Sequence, residues 1–507
     1  MSTVKKNVIA NYLGQGWNAL MGLAFVPLYI KYLGVESYGL IGIFALLQAW
    51  LTLLDMGMTP TLSREMARLT GGAHEAQSIR DLLRSIEIIC FGIAVVIALG
   101  IWAASGWLAS DWLRAEKLPV GVVAQAFTIM GVVTALRFIE NIYRSSILGL
   151  QRQVLLNIVL SIMATLRGLG AVGILIWVSP TIKAFFVWQA IVSIITVGLF
   201  AAVLYHTLPV AKHAARFSLT ALKGIRQFAV GMMTITFLAL LLTQVDKILL
   251  SRLLTLEAFG YYALAGTVAN ALYMLPGPVT AAFYPHFTEL VARADVAALI
   301  AAYHKGAQLV TVLMGTAAIV LIVFGDVVML LWTANPALAR QVVPLVAVLS
   351  LGTLLNGLMW FPYQMQLAYG WTSLTVKVNI FAVAVIVPAI FWATPRYGAI
   401  GAAWIWVGLN AGYLTIAIYF MHRRLLPTEK WRWYRQDVAM PLISATVTAA
   451  LLRWATPNFS SIPAQLISLL ISTSLVLAAA ALAAQDVRLQ LVRYLLQGIK
   501  SICVRSV

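Results

Sequence analysis

The chain has 507 residues, 62% of them hydrophobic and 10% charged, with a mean hydropathy of +0.91. An ordinary soluble domain carries roughly 25% charged residues, so this composition excludes a soluble enzyme and leaves a polytopic membrane protein. The net charge of +18 would suit nucleic acid, but its distribution fits membrane topology and anionic lipid instead.

The amino end, through Lys5 and Lys6, precedes an apolar stretch running past Tyr29, too long for a signal-peptide core, and is read as an uncleaved first span. Spans are predicted near residues 8–30, 37–60, 86–108, 120–148, 155–178 and 182–206. A second group follows near 227–252, 258–285, 306–331, 343–369, 375–394 and 398–421, and two more near 438–456 and 462–484. The expected fold is an all-α integral membrane protein of about fourteen transmembrane helices. Two six-helix lobes, residues 1–206 and 207–424, are joined by an extra helix pair within 425–484 and a tail over 485–507 that reads as an amphipathic cytoplasmic helix. Cys90 lies in a span and Cys503 in the tail, which excludes a disulfide framework and a zinc site.

Basic residues set the orientation. Lys5, Lys6, Arg64, Arg68, Arg80, Arg84, Arg152, Lys212, Arg216, Lys223 and Arg226 fall on one side, joined later by the cluster Arg423, Arg424, Lys430, Arg432 and Arg435. The other side is sparsely basic, so the positive-inside rule puts both termini in the cytoplasm. Connections on the outer side are short, and none anywhere is large enough for a catalytic domain.

An internal repeat is visible. Leu33-Gly-Val-Glu36-Ser-Tyr38-Gly39-Leu40, between the first two spans, is echoed by Leu254-Thr-Leu-Glu257-Ala-Phe259-Gly260-Tyr261, between the seventh and eighth. Arg64-Glu65 has a weaker echo in Thr288-Glu289. Six spans separate the copies, which predicts parallel repeats about a pseudo-twofold axis along the membrane normal and a passage between the lobes.

Polar residues mark the faces of that passage. Asn11, Gln15, Asn18 and Gly22 line one side of the first span, Gln48, Thr52, Asp55 and Thr59 the second, and Thr236, Thr243 and Lys247 the seventh, with Gln244 and Asp246 beside them. Such residues also join membrane helices to one another. The fourth span is the most telling. Arg137, Glu140, Asn141 and Arg144 share one helix face at bilayer depth, where charge is costly and must meet protein or water. Glu140 can pair with Arg137 or Arg144, and the structural alternative to a passage is a buried ion-pair network. With Arg167 in the fifth span and Lys247 in the seventh, bases still exceed acids, and guanidinium groups suit phosphate oxygens. The expected substrate-binding residues are therefore Arg137, Arg144, Arg167, Lys247, Asn141, Asn18 and Gln15, and the expected coupling acids are Asp246, Glu140 and Asp55. Pro27, Pro60 and Pro276-Gly277-Pro278 mark expected kinks. Asn356, Trp360, Tyr363 and Gln364 in the tenth span read either as sugar contacts or as packing residues.

Several of these stretches together carry a resemblance. The run Pro27-x-Tyr29-x-x-Tyr32-Leu-Gly-x-Glu36-x-Tyr-Gly39, Leu54-Asp55-Met-Gly57 with Arg64-Glu65, and Asp246-Lys-Ile-Leu-Leu followed by Glu257-Ala-Phe-Gly260 resemble the polysaccharide transport family. That family, of O-antigen and exopolysaccharide repeat-unit flippases, sits in the multidrug, oligosaccharidyl-lipid and polysaccharide exporter superfamily. The resemblance implies a bacterial inner-membrane flippase moving an undecaprenyl-pyrophosphate-linked oligosaccharide by alternating access. It also implies membrane lipids, a glycan polymerase and a chain-length regulator as partners. No cofactor and no nucleic acid are expected, only a coupling proton or sodium ion, and no phosphate-binding loop for ATP occurs. The competing readings are a cation-coupled multidrug exporter, whose cationic substrates favour lumen acids, and a polytopic glycan polymerase or ligase, which calls for a substantial outer loop.

Overall fold

The computed structural model describes residues 3–490 apart from 56–57, 71–74, 114, 151, 212, 221, 224–243, 278, 281–282, 284–286, 288–289, 292, 370, 372 and 457–460. Thr236, Thr243, the Thr288-Glu289 echo and most of the tail therefore lie outside the described residues. The chain forms two compact units, Met1–Gly260 and Tyr261–Val507.

In the first unit, α1 (Thr3–Ala24) and α2 (Val26–Leu33) make up the predicted first span, broken at Phe25. Pro27 starts the second segment, where its missing N–H leaves no bond unmade, and Gly34, at φ 81°, ends it in a conformation that suits glycine. The predicted second span is also in two pieces, α3 (Val35–Leu54) and α4 (Met58–Thr70). Asp55 explains the interruption: its carboxylate accepts the Thr59 N–H at 3.0 and 3.1 Å and the Thr59 hydroxyl, so the new helix starts on a side-chain cap. α5 (Ala76–Trp107), continued by a wide turn over Leu108–Trp112, begins well before residue 86. Hydropathy marked only its apolar part, and a polar first stretch with Asp81 and Arg84 continues the helix beyond the membrane. α6 (Val120–Gly149), α7 (Gln153–Trp177) and α8 (Ile182–Thr207) complete the set, the last capped by Thr181. α6 packs on α4, α5 and α8, and α7 on α1 and α8. Ile86, Ile142, Met163 and Phe200 sit in the shared core. Residues 244–253 are helical, and α9 (Leu256–Ala271) follows.

The second unit contains α10 (Val296–Val323), capped by Asp295, then α11 (Gly325–Thr333), α12 (Pro336–Leu358), capped by Asn335, and α13 (Trp360–Ala368). α14 (Ser373–Gly412) joins the two predicted spans 375–394 and 398–421 in one run broken at Gly398, at φ 61°. α15 (Ile418–Leu425), α16 (Met440–Ala455) and α17 (Ile462–Ala483) close the unit, α15 on a core holding Met314, Phe361 and Trp433, and α16 and α17 on a second one with Ile319, Ala449 and Val476. Among the described residues nine helical stretches are long and apolar enough to cross a membrane, with shorter apolar segments besides. The chain is a multi-pass, all-helical membrane protein.

The sequence repeat is a physical contact. A Cβ on Gly39 would lie 2.5 Å from the Leu256 carbonyl oxygen, and a Cβ on Gly260 would lie 2.5 Å from the Val35 carbonyl oxygen. Gly39 corresponds to Gly260 in the repeat as Val35 does to Leu256, so the contact is reciprocal, as a twofold relation requires. The corresponding acids converge on one loop. Glu36 accepts the N–H groups of Glu116 at 2.6 Å and Lys117 at 3.0 Å, while Glu257 takes the Lys117 ammonium. That bond to Glu257 holds the lysine above its usual range.

Candidate functional site

The charged face of α6 meets α7 and α8. Glu140 is buried, and its Oε2 accepts Arg167 Nη2 from α7 at 2.8 Å, with Thr196 on α8 a longer partner of the same nitrogen at 3.4 Å. The acid is therefore matched to Arg167 on the neighbouring helix, and not to Arg137 or Arg144 on its own, the two partners that spacing along one helix allowed. Arg137, one turn away, has no carboxylate among the described residues within ion-pair distance. Its Nη2 donates to Gln189 Oε1 on α8 at 3.2 Å, and its guanidinium lies over the Phe44 ring of α3, 5.0 Å from the centroid. The Nε atoms of Arg137 and Arg167 are both buried without a hydrogen-bond partner. The site thus holds two guanidinium groups and one carboxylate, which is bonded to Arg167, leaving an excess positive charge among the described residues in a low-dielectric setting.

Small residues place these groups. Gly168 and Gly170 of α7 leave no room for side chains against Phe25 and Trp188 respectively, so the chain at the α1–α2 break and α8 both pack closely on α7 just past Arg167. Trp188 also donates its indole N–H to the Leu166 carbonyl at 3.3 Å, which fixes the height of Gln189 beside Arg137.

The remaining predicted residues stand apart from this trio. Asn141 is half-buried and Arg144 exposed on α6. Asn18 turns its amide onto the Gly14 carbonyl of its own helix at 2.7 Å, and Gln15 is exposed. Lys247 donates to Gln244 at 3.3 Å, and Asp246 beside it is half-buried. Both Asp55 oxygens serve the α4 cap. Gln48 binds Thr134 Oγ1 at 3.0 Å and so joins α3 to α6. In the second unit Asn356 links Tyr273 at 3.0 Å to Asn410 at 2.8 Å, and Trp360 stacks on Tyr273, so these residues connect helices. Sequence reading missed Gln189, Thr196 and Phe44. The first two had a signal: with Ser193 they form a line at i, i+4, i+7 through an otherwise apolar span, and all three are buried.

The family model for polysaccharide biosynthesis proteins matches residues 4–291, more than half of the chain. The chain belongs to this family. A Shigella flexneri protein named for O-antigen transport is 18% identical to it over 406 residues, covering 80% of this chain and 94% of that one. Among solved structures, the lipid II flippase MurJ in an inward closed conformation matches with a TM-score of 0.65 at 14% identity, over 95% of this chain and 99% of that one. An inward-facing multidrug resistance transporter of the MATE family, in the MOP superfamily, matches with a TM-score of 0.64 at 16% identity, over 82% and 96%. The fold is the one shared by these transporters, and the polysaccharide family is its branch here.

Proposed function

We propose that the chain is a flippase that carries an undecaprenyl-pyrophosphate-linked oligosaccharide from the cytoplasmic to the outer leaflet of a bacterial inner membrane. Both termini are cytoplasmic in this reading, and the protein acts as a transporter, not an enzyme. The observation that carries it is the charge excess at Arg137, which is bonded to a neutral amide and an aromatic face where a structural arginine would have an acid. In this scheme the lipid tail stays in the bilayer while the pyrophosphate enters beside α6–α8. Arg137 and Arg167 take it, Arg144 and Lys247 serve on the approach, and Asn141, Asn18 and Gln15 meet polar parts of the substrate. Pyrophosphate and Glu140 compete for the same Arg167 nitrogen. A carboxylate expelled from that pair is left beside apolar helices and gains by taking up a proton, which links substrate loading to an ion gradient. Asp246 is the second candidate for coupling to protons or sodium. Asp55 can join only if the α4 cap opens. A glycan polymerase and a chain-length regulator are the proposed protein partners.

Export of surface glycan by Arg137→Ala and Arg167→Ala variants tests the reading. Each loses charge-assisted bonds worth about 2 kcal/mol, so export should fall at least tenfold with the protein still in the membrane, and Lys at either position should restore part of it. Wild-type export from both alanine variants would remove the cationic passage.

A further inference from the structure

The second unit holds a titratable cluster that the scheme above does not use. His304 of α10 is fully buried. Its Nδ1 is hydrogen-bonded to Asp437 Oδ2, and its Nε2 lies 2.9 Å from Glu429 Oε2. Asp437, also fully buried, accepts Gln308 Nε2 at 2.9 Å on its other oxygen. Gln308 in turn donates to Asp486 Oδ2 at 3.2 Å and accepts the Asp486 N–H at 2.8 Å. One turn of α10 therefore binds Glu429, at the head of the 426–439 segment, Asp437 near the segment's end, where residues 430–439 are helical and run on into α16, and Asp486 beyond α17.

Counting hydrogens shows what the geometry demands. Each of the two His304 contacts joins a nitrogen to a carboxylate oxygen and needs one hydrogen. A neutral imidazole between two ionised carboxylates supplies one in total, so the bridge as built contains a further proton. Burial opposes the charge of Glu429, but the bonds from His304 and Thr428 outweigh it and hold this carboxyl below the usual carboxylate range. The extra proton therefore belongs to the His304–Asp437 side. Other titratable groups around the cluster are Tyr303 on α10, His422 on α15 at 3.3 Å from the Tyr303 hydroxyl, Lys430, Arg432 at 3.5 Å from Glu429, Tyr434 and Asp486.

We propose that His304, Asp437 and Glu429 form a proton-binding site in which the bound proton clamps the Glu429 end of the 426–439 segment to α10 and its departure releases that end. The proton leaves from Nε2 to water past Glu429, the partly exposed member of the three. Nδ1 keeps its hydrogen and goes on donating it to Asp437, so the bond that breaks is the one to Glu429, where the Nε2 lone pair then faces a carboxylate. The clamp is closed at low pH and opens as pH rises. Its use in transport rests on the flippase reading, but its existence does not.

Amide hydrogen exchange of the full-length protein in lipid nanodiscs reads the clamp without any substrate, so its outcome is separate from that of the export test. After correction for intrinsic exchange, peptides covering 426–432 should lose protection by about tenfold between about pH 5.5 and about pH 9, the equivalent of one charge-assisted hydrogen bond. Peptides from α5 should not change. In Glu429→Gln the new amide donates to Nε2 and needs no extra proton, so protection should stay high across the range. His304→Gln, whose amide makes the two contacts without an extra proton, should also be insensitive to pH. Flat protection in the wild type, or wild-type pH sensitivity retained in either variant, would overturn the proposal.

Discussion

A guanidinium at bilayer depth persists when the protein replaces its water, and the two arginines beside α6 receive unequal replacements. Arg167 has a carboxylate at 2.8 Å, whereas Arg137 has an amide oxygen and a ring. Removing one partner of a buried ion pair leaves the other charge uncompensated, at a cost of about 3 kcal/mol. Glu140→Gln should therefore lower the unfolding midpoint in detergent, and Glu140→Gln with Arg167→Gln should recover most of it, because the site then returns from two positive charges to the single one of Arg137 that the wild type already carries. Export should not recover with stability. A double variant exporting at the wild-type rate would mean that Arg167 serves only to balance Glu140. The charges and their common face were legible from the spacing of Arg137, Glu140 and Arg144 within an apolar run. The partner of Glu140 was not, because helical periodicity reports neighbours on one helix, and the acid found its base on the next. Gln189 and Thr196 show the same limit, since their role depends on which helix α8 faces.

At the level of elements, the reciprocal approach of Gly39 and Gly260 is what the repeat in the sequence encodes. Each glycine lets the other copy's first helical turn come within backbone contact, so either position admits no side chain without displacement. Overpacking of this kind costs about 2 kcal/mol. Gly260→Val should lower the unfolding midpoint by several degrees, while Gly92→Val, on an exposed face with no neighbour within 4 Å, should leave it unchanged. Equal melting of the two variants would show that the contact is not tight in the membrane. Span positions were largely legible because a bilayer demands long apolar stretches. Their interruptions were less so. Pro27 announced the break at Phe25, but the break at Asp55 comes from a side-chain cap that hydropathy does not register, and α5 extends past its apolar part because its polar residues bond outside the bilayer.

For the whole molecule, the charge of +18 is an arrangement as much as a sum. Arg423, Arg424, Lys430 and Arg432 crowd the polar end of the second unit around α15, where Lys430 lies over the Tyr419 ring and Arg424 over that of Trp371. Lysines and arginines are held on the cytoplasmic side during insertion, whereas acids contribute little, so this end should face the cytoplasm and the Glu116–Lys117 loop the exterior. The chain is well suited to a labelling test. Cys90 is buried and so a poor target for reagents, and replacing Cys503 by Ser leaves introduced cysteines as the only accessible thiols. A membrane-impermeant maleimide should label Glu116→Cys in intact spheroplasts, since that residue is exposed in the outer loop. It should label Thr428→Cys, also exposed, only after permeabilisation. Labelling of Thr428→Cys in sealed spheroplasts would reverse the orientation, and with it the direction assigned to transport and the compartment with which His304 exchanges its proton.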